Sequence, residues 1–196
     1  RIYVSDPTST KIVVIDPAAG NELGRIDLAK SAIAEPSFSS PKVQHLAATR
    51  DGRTLAVSAL AQHSVTLVDL ATNTERGRTV FQTSPTAVAF TPNGHELWVS
   101  LGDEHAIAVV DPKTAREITR VPASGGAGAT ILSPNGRYAF VSLTERPSIL
   151  VVDVEHRRVV GRASRSGDAG SKRAPAEARA LLFELLTARW RYRRQR

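Results

Sequence analysis

Apolar and polar positions alternate along most of the chain in short runs, and each run ends in a turn signal. In the stretch 84–123 this alternation predicts four β-strands. Proline, asparagine, aspartate and glycine separate the strands, and Thr91 to Gly94 and Asp111 to Thr114 have the composition of tight turns. The predicted strands are Thr86–Phe90, Glu96–Ser100, Ala106–Val110 and Glu117–Val121.

The same arrangement repeats at an interval of 42 residues. Three landmarks show it: a glycine in the first turn, a serine near the end of the second strand and an aspartate after the third. Four short strands at this period are typical of a β-propeller blade, which buries its two apolar faces by stacking on its neighbours. A solenoid of hairpins would have shorter and more uniform units. The landmarks are Gly52, Gly94 and Gly136; Ser58, Ser100 and Ser142; and Asp69, Asp111 and Asp153.

The period predicts the domain organisation. The fold class is all-β, a propeller of four-stranded antiparallel blades with about four blades present, followed by a C-terminal tail that is helical or disordered. The first blade lacks its first strand, and an inserted loop separates it from the next. The predicted segments are 1–163 for the repeats (1–28 partial blade, 29–42 inserted loop, 43–83, 84–124 and 125–163 full blades) and 164–196 for a basic linker and tail.

An aspartate follows the third strand of every unit, at Asp16, Asp69, Asp111 and Asp153. An aspartate side chain at the start of a turn accepts hydrogen bonds from backbone N–H groups two residues further on. The proline that follows Asp16 and Asp111 also restricts φ. We therefore interpret this series as turn residues, not as catalytic carboxylates.

The strand sequences resemble the YVTN-family β-propeller repeat. The matching segments are IYVS…KIVVID, LAVS…SVTLVD, LWVS…AIAVVD and AFVS…SILVVD, with the turns RDG, PNG and PNG between them. That family's consensus contains Pro-Asp-Gly, Tyr-Val-Thr-Asn and Val-Ser-Val-Ile-Asp, and the resemblance covers Arg1 to about Ala163. The differences are small, since serine replaces threonine in each copy and Arg50 replaces the turn proline in one.

The resemblance implies a ring that usually closes with seven blades. About four blades therefore predict part of a larger ring, an oligomer or a truncated product. An open array leaves edge strands and one apolar blade face uncovered, which would permit self-association through the open blade edges. Relatives of similar build include lactonase-type propellers, the haem-binding propeller of cytochrome cd nitrite reductases and archaeal surface-layer proteins. The resemblance favours a periplasmic, secreted or cell-surface location.

Charge is distributed unevenly along the chain. The net charge of +7 arises from 26 Lys plus Arg and 19 Asp plus Glu. Up to Gly161 the counts balance at 16 and 16, whereas the remaining residues include 10 basic and 3 acidic ones. The repeats therefore carry no charge excess that would attract nucleic-acid phosphates. No apolar run approaches the roughly 18 residues of a membrane-spanning helix, so no transmembrane segment is predicted.

The tail has a different composition from the repeats. Residues after Ser164 resemble a flexible linker, and Pro175 then precedes a segment rich in helix formers. Three interpretations are open: a basic amphipathic helix for a membrane surface or acidic partner, an appendage that caps the last blade, or non-native sequence from out-of-frame translation. One predicted helical face carries Leu181, Leu182, Leu185, Leu186 and Trp190.

The candidate chemistry lies in loops expected on one face of the ring. His63 and His105 both precede their repeat aspartate by six residues, so they occupy equivalent loops on adjacent blades. Converging imidazole and carboxylate groups can hold a metal ion or haem, although histidine can equally replace asparagine as a hydrogen-bonding loop residue. No cofactor is predicted, and His63 and His105 are the metal candidates. The predicted ligand-binding face comprises His45, His63, Asp103, Glu104, His105, Glu145 and Arg146, with Asp6 as a further carboxylate.

Three functions fit these features. The favoured one is a non-catalytic platform that binds a protein or small ligand through loops 59–64, 101–106 and 143–148. A periplasmic redox-associated or metal- or haem-binding propeller would use His63 and His105. A lactonase-like hydrolase would need a divalent cation held by carboxylates at the channel mouth. The sequence has no phosphate-binding loop, nucleophile elbow or HExxH motif, and the Gly-rich run 125–128 is interpreted as a tight loop between blades.

Overall fold

Regularly spaced turns divide the chain into short strands. The computed structural model describes residues 1–5, 11–27, 43–59, 62–164 and 174–183. Within these ranges one helix, α1, occupies residues 176–183. The strands are β1 (Ile2–Ser5), β2 (Lys11–Ile15), β3 (Glu22–Asp27), β4 (Val43–Ala48), β5 (Thr54–Ala59), β6 (Ser64–Asp69), β7 (Thr74–Val80), β8 (Ala87–Phe90), β9 (Leu97–Leu101), β10 (Ala106–Asp111), β11 (Arg116–Pro122), β12 (Ala127–Leu132), β13 (Tyr138–Leu143), β14 (Ser148–Asp153) and β15 (Arg158–Ser164).

The strands form four antiparallel sheets in chain order, here called blades one to four. Blade one contains β1–β3, and blades two, three and four contain β4–β7, β8–β11 and β12–β15. The predicted all-β class with four-stranded antiparallel blades is confirmed. In blade three every predicted strand boundary agrees with the structure to within one residue. The predicted inserted loop, 29–42, lies outside the described residues.

The turn after the first strand of each four-stranded blade is fixed by side-chain hydrogen bonds. In blade three, Thr91 Oγ1 lies 2.7 Å from Asn93 Oδ1, and the His95 N–H donates to the same oxygen at 3.0 Å. Gly94 adopts a left-handed φ of 71°, which glycine reaches at little steric cost. The chain therefore reverses within four residues and begins the second strand in register.

The aspartate series caps the turn between the third and fourth strands, as predicted. Asp16, Asp69 and Asp111 each accept a hydrogen bond at 2.8 Å from the backbone N–H two residues later. In Asp153 the donor is the His156 N–H at 2.9 Å. Hydrogen bonds from the N–H groups of Ala71 and Lys113 hold the pKa values of Asp69 and Asp111, respectively, below their ordinary value.

Apolar side chains from facing sheets fill each interface between blades. Trp98 of β9 is fully buried between blades three and four, beside Ile107 and Val109 of β10. Its indole N–H donates to Glu96 Oε2 at 3.0 Å, and Arg157 of blade four binds the same carboxylate. Separate clusters fill the interfaces between blades one and two and between blades two and three. Stacking of blades therefore produces a series of cores, one per interface.

Helix α1 covers the remaining face of blade four. Ala178 is fully buried against Tyr138, Phe140 and Val151, and Leu181 and Leu182 pack at the edge of the same cluster. This contact corresponds to the capping interpretation of the tail. The other residues of the predicted apolar face, Leu185, Leu186 and Trp190, lie outside the described residues. In the described ranges, no helix has the length and apolar character needed to span a membrane.

The outer face of blade one is apolar and open. Register places Ile2 opposite Ile15 and Val4 opposite Val13, so these four residues share one face. Ile2 is 48% exposed and Val4 is 43% exposed. The opposite face, with Ile12 and Ile26, is buried against blade two. Within the described residues, blade one therefore has one covered face, whereas blades two, three and four have both faces covered.

Candidate functional site

The loops between second and third strands lie at the same end of the blades as the linkers from one blade to the next. The Phe81 N–H donates to the His63 carbonyl at 2.7 Å, and the Thr144 N–H donates to the Gly126 carbonyl at 3.0 Å. We call this end the loop face. The opposite end, formed by the Asn-Gly and aspartate-capped turns, is the turn face. In the described chain the loop face comprises residues 62–63, 81–86, 102–105, 123–126 and 144–147.

His63 and His105 occupy equivalent backbone positions on adjacent blades, as the repeat predicts. Their φ angles are 47° and 49°, in the left-handed region. Their carbonyls accept hydrogen bonds from Phe81 and Ala123, both at 2.7 Å. Histidine, asparagine and aspartate are enriched in this backbone region relative to other side chains. The loop geometry thus gives one sufficient reason for histidine at both places.

The ring of His63 is oriented by the linker that follows its blade. Nδ1 lies 2.9 Å from the Gln82 carbonyl oxygen, and the side chain is exposed. A carbonyl can only accept a hydrogen bond, so Nδ1 must carry the proton. In the neutral ring Nε2 then has a free lone pair. This nitrogen is the group of His63 that can accept a proton or bind a ligand.

The ring of His105 faces the next blade instead. Nδ1 lies 3.5 Å from Glu145 Oε1, and the two side chains are 51% and 55% exposed. The pair gains electrostatic attraction when the imidazole is protonated. An exposed pair of this kind contributes on the order of 1 kcal/mol or less to stability. Its importance is therefore its position, since it presents an acid and a base side by side on blades three and four.

Glu104 is a structural residue in this loop, because its carboxylate is almost buried. The side chain is 8% exposed, and Oε1 accepts hydrogen bonds from Thr83 N and Thr83 Oγ1, both at 3.0 Å. Arg120 donates to Oε2. Burial raises the pKa of Glu104, but the hydrogen bonds from Arg120 and Thr83 outweigh it and hold the pKa below its ordinary value. Glu104 thus ties the loop to the linker that enters blade three.

Asp103 and Arg146 are the two exposed charges of the predicted face that have no ion-pair partner among the described residues. Both lie in loops between second and third strands, on blades three and four. Neither side chain makes a hydrogen bond or an ion pair with other residues of the described chain. Because their backbones belong to anchored loops, these side chains are held near the surface with their charges available to a ligand.

His45 lies on the inner strand β4 and is half-buried. Its backbone N–H donates to Ser58 Oγ at 3.0 Å, in the adjacent strand. Burial lowers the pKa of its imidazole, because the charged ring is poorly solvated there. His45 is therefore present as the neutral ring at neutral pH and adds no charge to the face.

The Gly-rich run is a tight loop between blades, as predicted. Gly126 has a φ of 76°, and a Cβ placed there would lie 2.1 Å from Thr144 Oγ1. The Glu145 N–H donates to the Gly125 carbonyl at 3.0 Å. Only a residue without a side chain permits this approach. The loop that carries Glu145 and Arg146 is thereby fixed against the linker.

The predicted site residues are brought together only in part. His105 and Glu145 form a pair, Glu104 binds Thr83 and Arg120, and His45 and His63 contact other groups. Asp6 lies outside the described residues. Within the described ranges no three His, Asp or Glu side chains meet in an arrangement suited to a metal ion. Two separate groups could each hold an ion: Nε2 of His63 alone, and the His105–Glu145 pair.

A series of arginines was not predicted from the sequence, and two of its members, Arg120 and Arg162, anchor the loop face. Arg78, Arg120 and Arg162 recur at the 42-residue period in the fourth strand of each full blade. Arg120 binds Glu104 and Glu117, and Arg162 donates to the Ser124 carbonyl at 3.2 Å. Two ion pairs raise the pKa of Arg120. The recurrence of these arginines was the available signal in the sequence. Because the arginines lie in outer strands, their role becomes clear only when their contacts with the linkers are known.

Two solved structures share this arrangement of blades. One is Kuenenia stuttgartiensis hydrazine synthase, with a TM-score of 0.67, 19% identity, and coverage of 82% of this chain and 44% of that one. The other is the β-propeller domain of Myceliophteria thermophila Cps50 (Swd1), with a TM-score of 0.64, 16% identity, and coverage of 84% and 57%. The chain is a β-propeller. At these identities the similarity concerns the fold alone.

The propeller spans about half the length of these two solved chains. Its sequence matches no protein-family model and no curated protein sequence. Indications of function therefore come from this propeller's own loops and grooves.

Proposed function

We propose that the propeller is a non-catalytic platform that binds a protein or small ligand through the loop face. The observation that carries this proposal is the contrast within adjacent loops of blades three and four. Glu104 and the Gly125–Gly126 backbone hold the loops in place, whereas Asp103 and Arg146 point their charges away from any partner in the described chain. A preordered surface loses less entropy on binding than a mobile one.

Turn chemistry explains the aspartate series Asp16, Asp69, Asp111 and Asp153, whereas the turn contacts of the described chain do not use the side chains of Asp103 or Arg146 on the loop face. Binding residues in rigid folds are found disproportionately on such loops. In the sequence, His105 and Glu145 lie between Asp103 and Arg146. The pair adds hydrogen-bonding groups to the loop face whether its imidazole is neutral or protonated. We include in this proposal membership of the YVTN-type propellers, which the strand and turn sequences support.

Selection of peptides from a random displayed library tests the proposed platform. The chain has no cysteine, so a single Glu155→Cys substitution on the turn face allows attachment with the loop face free. We expect the selected peptides to lose at least about tenfold in affinity when tested on D103A/R146A. The matched control is R116A, which removes an exposed charge from the outer strand β11 and should change affinity less than twofold.

The proposal fails if the selected peptides bind D103A/R146A as tightly as the wild-type propeller. It also fails if R116A weakens binding equally, since the selection would then report the overall charge of the chain. Circular dichroism of each variant separates loss of binding from loss of fold.

A second candidate function is the binding of a transition-metal ion at His63. The observation that favours it is the hydrogen bond from Nδ1 to Gln82, which fixes the tautomer with Nε2 free, as in many metal-ligating histidines. Metal analysis of the purified chain together with its visible spectrum tests this candidate. A stoichiometric metal that is lost in H63A and retained in H95A would support it, and a metal-free wild-type chain that binds no added Zn²⁺ or Cu²⁺ would exclude it.

A further inference from the structure

A second concave site lies on the turn face, between blades two and three. It has a volume of about 570 Å³, within the range of small-molecule sites. The turn after β4 supplies Arg50 and Arg53, strand β7 supplies Arg76, and the turn after β10 supplies Lys113. We call this concavity the basic groove. It is separate from the loop face, at the opposite end of the blades.

The basic groove has an excess of positive charge. Its lining contains four Lys or Arg residues and one carboxylate, Asp51, a difference of +3. Asp51 is already engaged by Thr49 Oγ1 at 2.6 Å and by the Arg53 N–H at 3.1 Å. The Arg53 guanidinium is 84% exposed and lies 3.9 Å from that carboxylate. Arg76 and Lys113 also interact electrostatically with Asp69 and Asp111, but these aspartates already accept hydrogen bonds within their own turns, so the lining itself keeps its positive excess.

Several other cations of the described chain are matched by carboxylates. Ion pairs at 3.1 Å or less join Arg25 to Glu22, Arg137 to Glu177 and Arg157 to Glu96. In contrast, no carboxylate of the described residues lies within 4.0 Å of the side-chain nitrogens of Arg50, Arg76 or Lys113. Like charges gathered in one concavity repel each other and raise its positive potential. A bound anion would relieve this repulsion.

The repeat shows that the fold does not require these cations. The equivalent groove between blades three and four has a volume of about 440 Å³ and is lined by Glu96 and Glu155, with no Lys or Arg. At the 42-residue period, Arg50 corresponds to Pro92, and Lys113 corresponds to Glu155. The same turns thus form a basic groove in one interface and an acidic groove in the next. The cations of the basic groove need an explanation other than folding.

We propose that the basic groove binds a small phosphorylated ligand. Guanidinium groups present paired N–H donors that match phosphate oxygens, and an ammonium adds a compact charge. A phosphate monoester carries about −1.5 to −2 charges at neutral pH, which offsets the excess of the lining better than a single carboxylate does. The part of the ligand other than its phosphate would pack against the wall formed by Pro92 and Pro112.

Titration of the ¹⁵N-labelled full chain with inorganic pyrophosphate at low ionic strength tests this site. We expect saturable shifts of the backbone amides of residues 50–53, 93–95 and 113, which surround the groove. The variant K113E should weaken binding at least about tenfold by reversing one charge at the site. The control R116E makes the same charge change three residues away and outside the lining, and should change affinity less than twofold.

The variant R50P provides a second test, because proline occupies the equivalent position in blades three and four and is compatible with the turn. It should also weaken pyrophosphate binding. Equal loss in K113E and R116E would overturn the site, as would shifts confined to residues after Gly161. Binding of citrate as tightly as pyrophosphate would overturn the assignment to phosphate. None of these outcomes bears on the loop face, so the two proposals fail independently.

Discussion

Gly126 shows how closely one residue can control the position of a loop. Its left-handed φ and its approach to Thr144 allow no side chain without movement. We expect G126A to lower the free energy of unfolding by about 1–3 kcal/mol more than G136A does. Gly136 is the matched control, because its φ of 72° is similar and the nearest contact of an added Cβ is 3.5 Å. Urea denaturation of both variants measures the difference.

Removal of the Thr144 hydroxyl separates the clash from backbone strain. The double variant G126A/T144A should recover part of the loss, since the atom that the new Cβ would meet is absent. If G126A and G136A are equally destabilised, the close packing of the loops is not what requires glycine at position 126.

Glu104 gives a prediction about pH. Its pKa in the folded chain lies below the ordinary value of 4.5, so the ionised form stabilises the fold above that value and the stabilisation is lost as pH falls through the folded pKa. E104Q should therefore lower the free energy of unfolding by about 1–3 kcal/mol at pH 7. The difference from the wild type should narrow below about pH 4.5.

Unfolding curves at several pH values between 7 and 3 provide this measurement. E145Q is the control, because Glu145 is 55% exposed and its removal should cost under about 0.5 kcal/mol. A difference between the wild type and E104Q that persists unchanged at low pH would contradict the assigned ionisation.

At the level of secondary-structure elements, the sequence predicts the structure best where turn residues set the ends of the strands. Strand boundaries could be predicted because Asn-Gly and Asp turns act locally, within a few residues. The role of Glu104 could not, because its partners Thr83 and Arg120 are 21 and 16 residues away. Equivalent loops were predicted to share one function, yet Glu104 is structural whereas Arg146, at the same position of the next blade, is exposed. Residues at equivalent positions of two blades can therefore differ in both charge and burial.

The basic groove was also beyond prediction from the sequence. Arg50 was visible as an exception to the turn proline, but Lys113 follows it by 63 residues. Only the stacking of blade three on blade two brings these residues to one concavity. Similarly, the contacts of α1 with blade four could not be predicted from the sequence, because they join residues about 40 positions apart.

Helix α1 provides a prediction at this scale. Ala178 is fully buried and Ala180 is exposed on the same helix, so A178E and A180E form a matched pair. A178E should detach α1, because an unpaired carboxylate is costly to bury. We expect faster amide exchange in α1, stronger binding of a hydrophobic dye and a lower melting temperature for A178E, with A180E close to the wild type. Equal behaviour of the two variants would exclude the docked helix.

At the scale of the whole molecule, stability should vary along the array. In stacked repeats each unit is stabilised mainly by its interfaces with neighbours. Blade one has a single covered face and exposes Ile2 and Val4, whereas blades two and three are covered on both sides. Amides of β2 should therefore exchange about tenfold or more faster than amides of β6 and β10.

Native-state hydrogen exchange measured by NMR tests this gradient, and β14 provides an internal comparison because α1 covers its blade. In A178E the exchange of β14 should approach that of β2, while β6 is unchanged. Uniform exchange across all four blades would indicate that the array unfolds as one cooperative unit.

The cover that α1 places on blade four has a consequence for symmetry. Indefinite head-to-tail stacking needs two different exposed sheet faces on each copy, and such heterologous contacts produce filaments. Only the outer face of blade one, around Ile2 and Val4, is open in the described chain. A contact between two copies of that face is isologous, lies on a two-fold axis and buries the open face of both copies. Among the described residues, α1 covers the second sheet face that head-to-tail stacking into a filament would use.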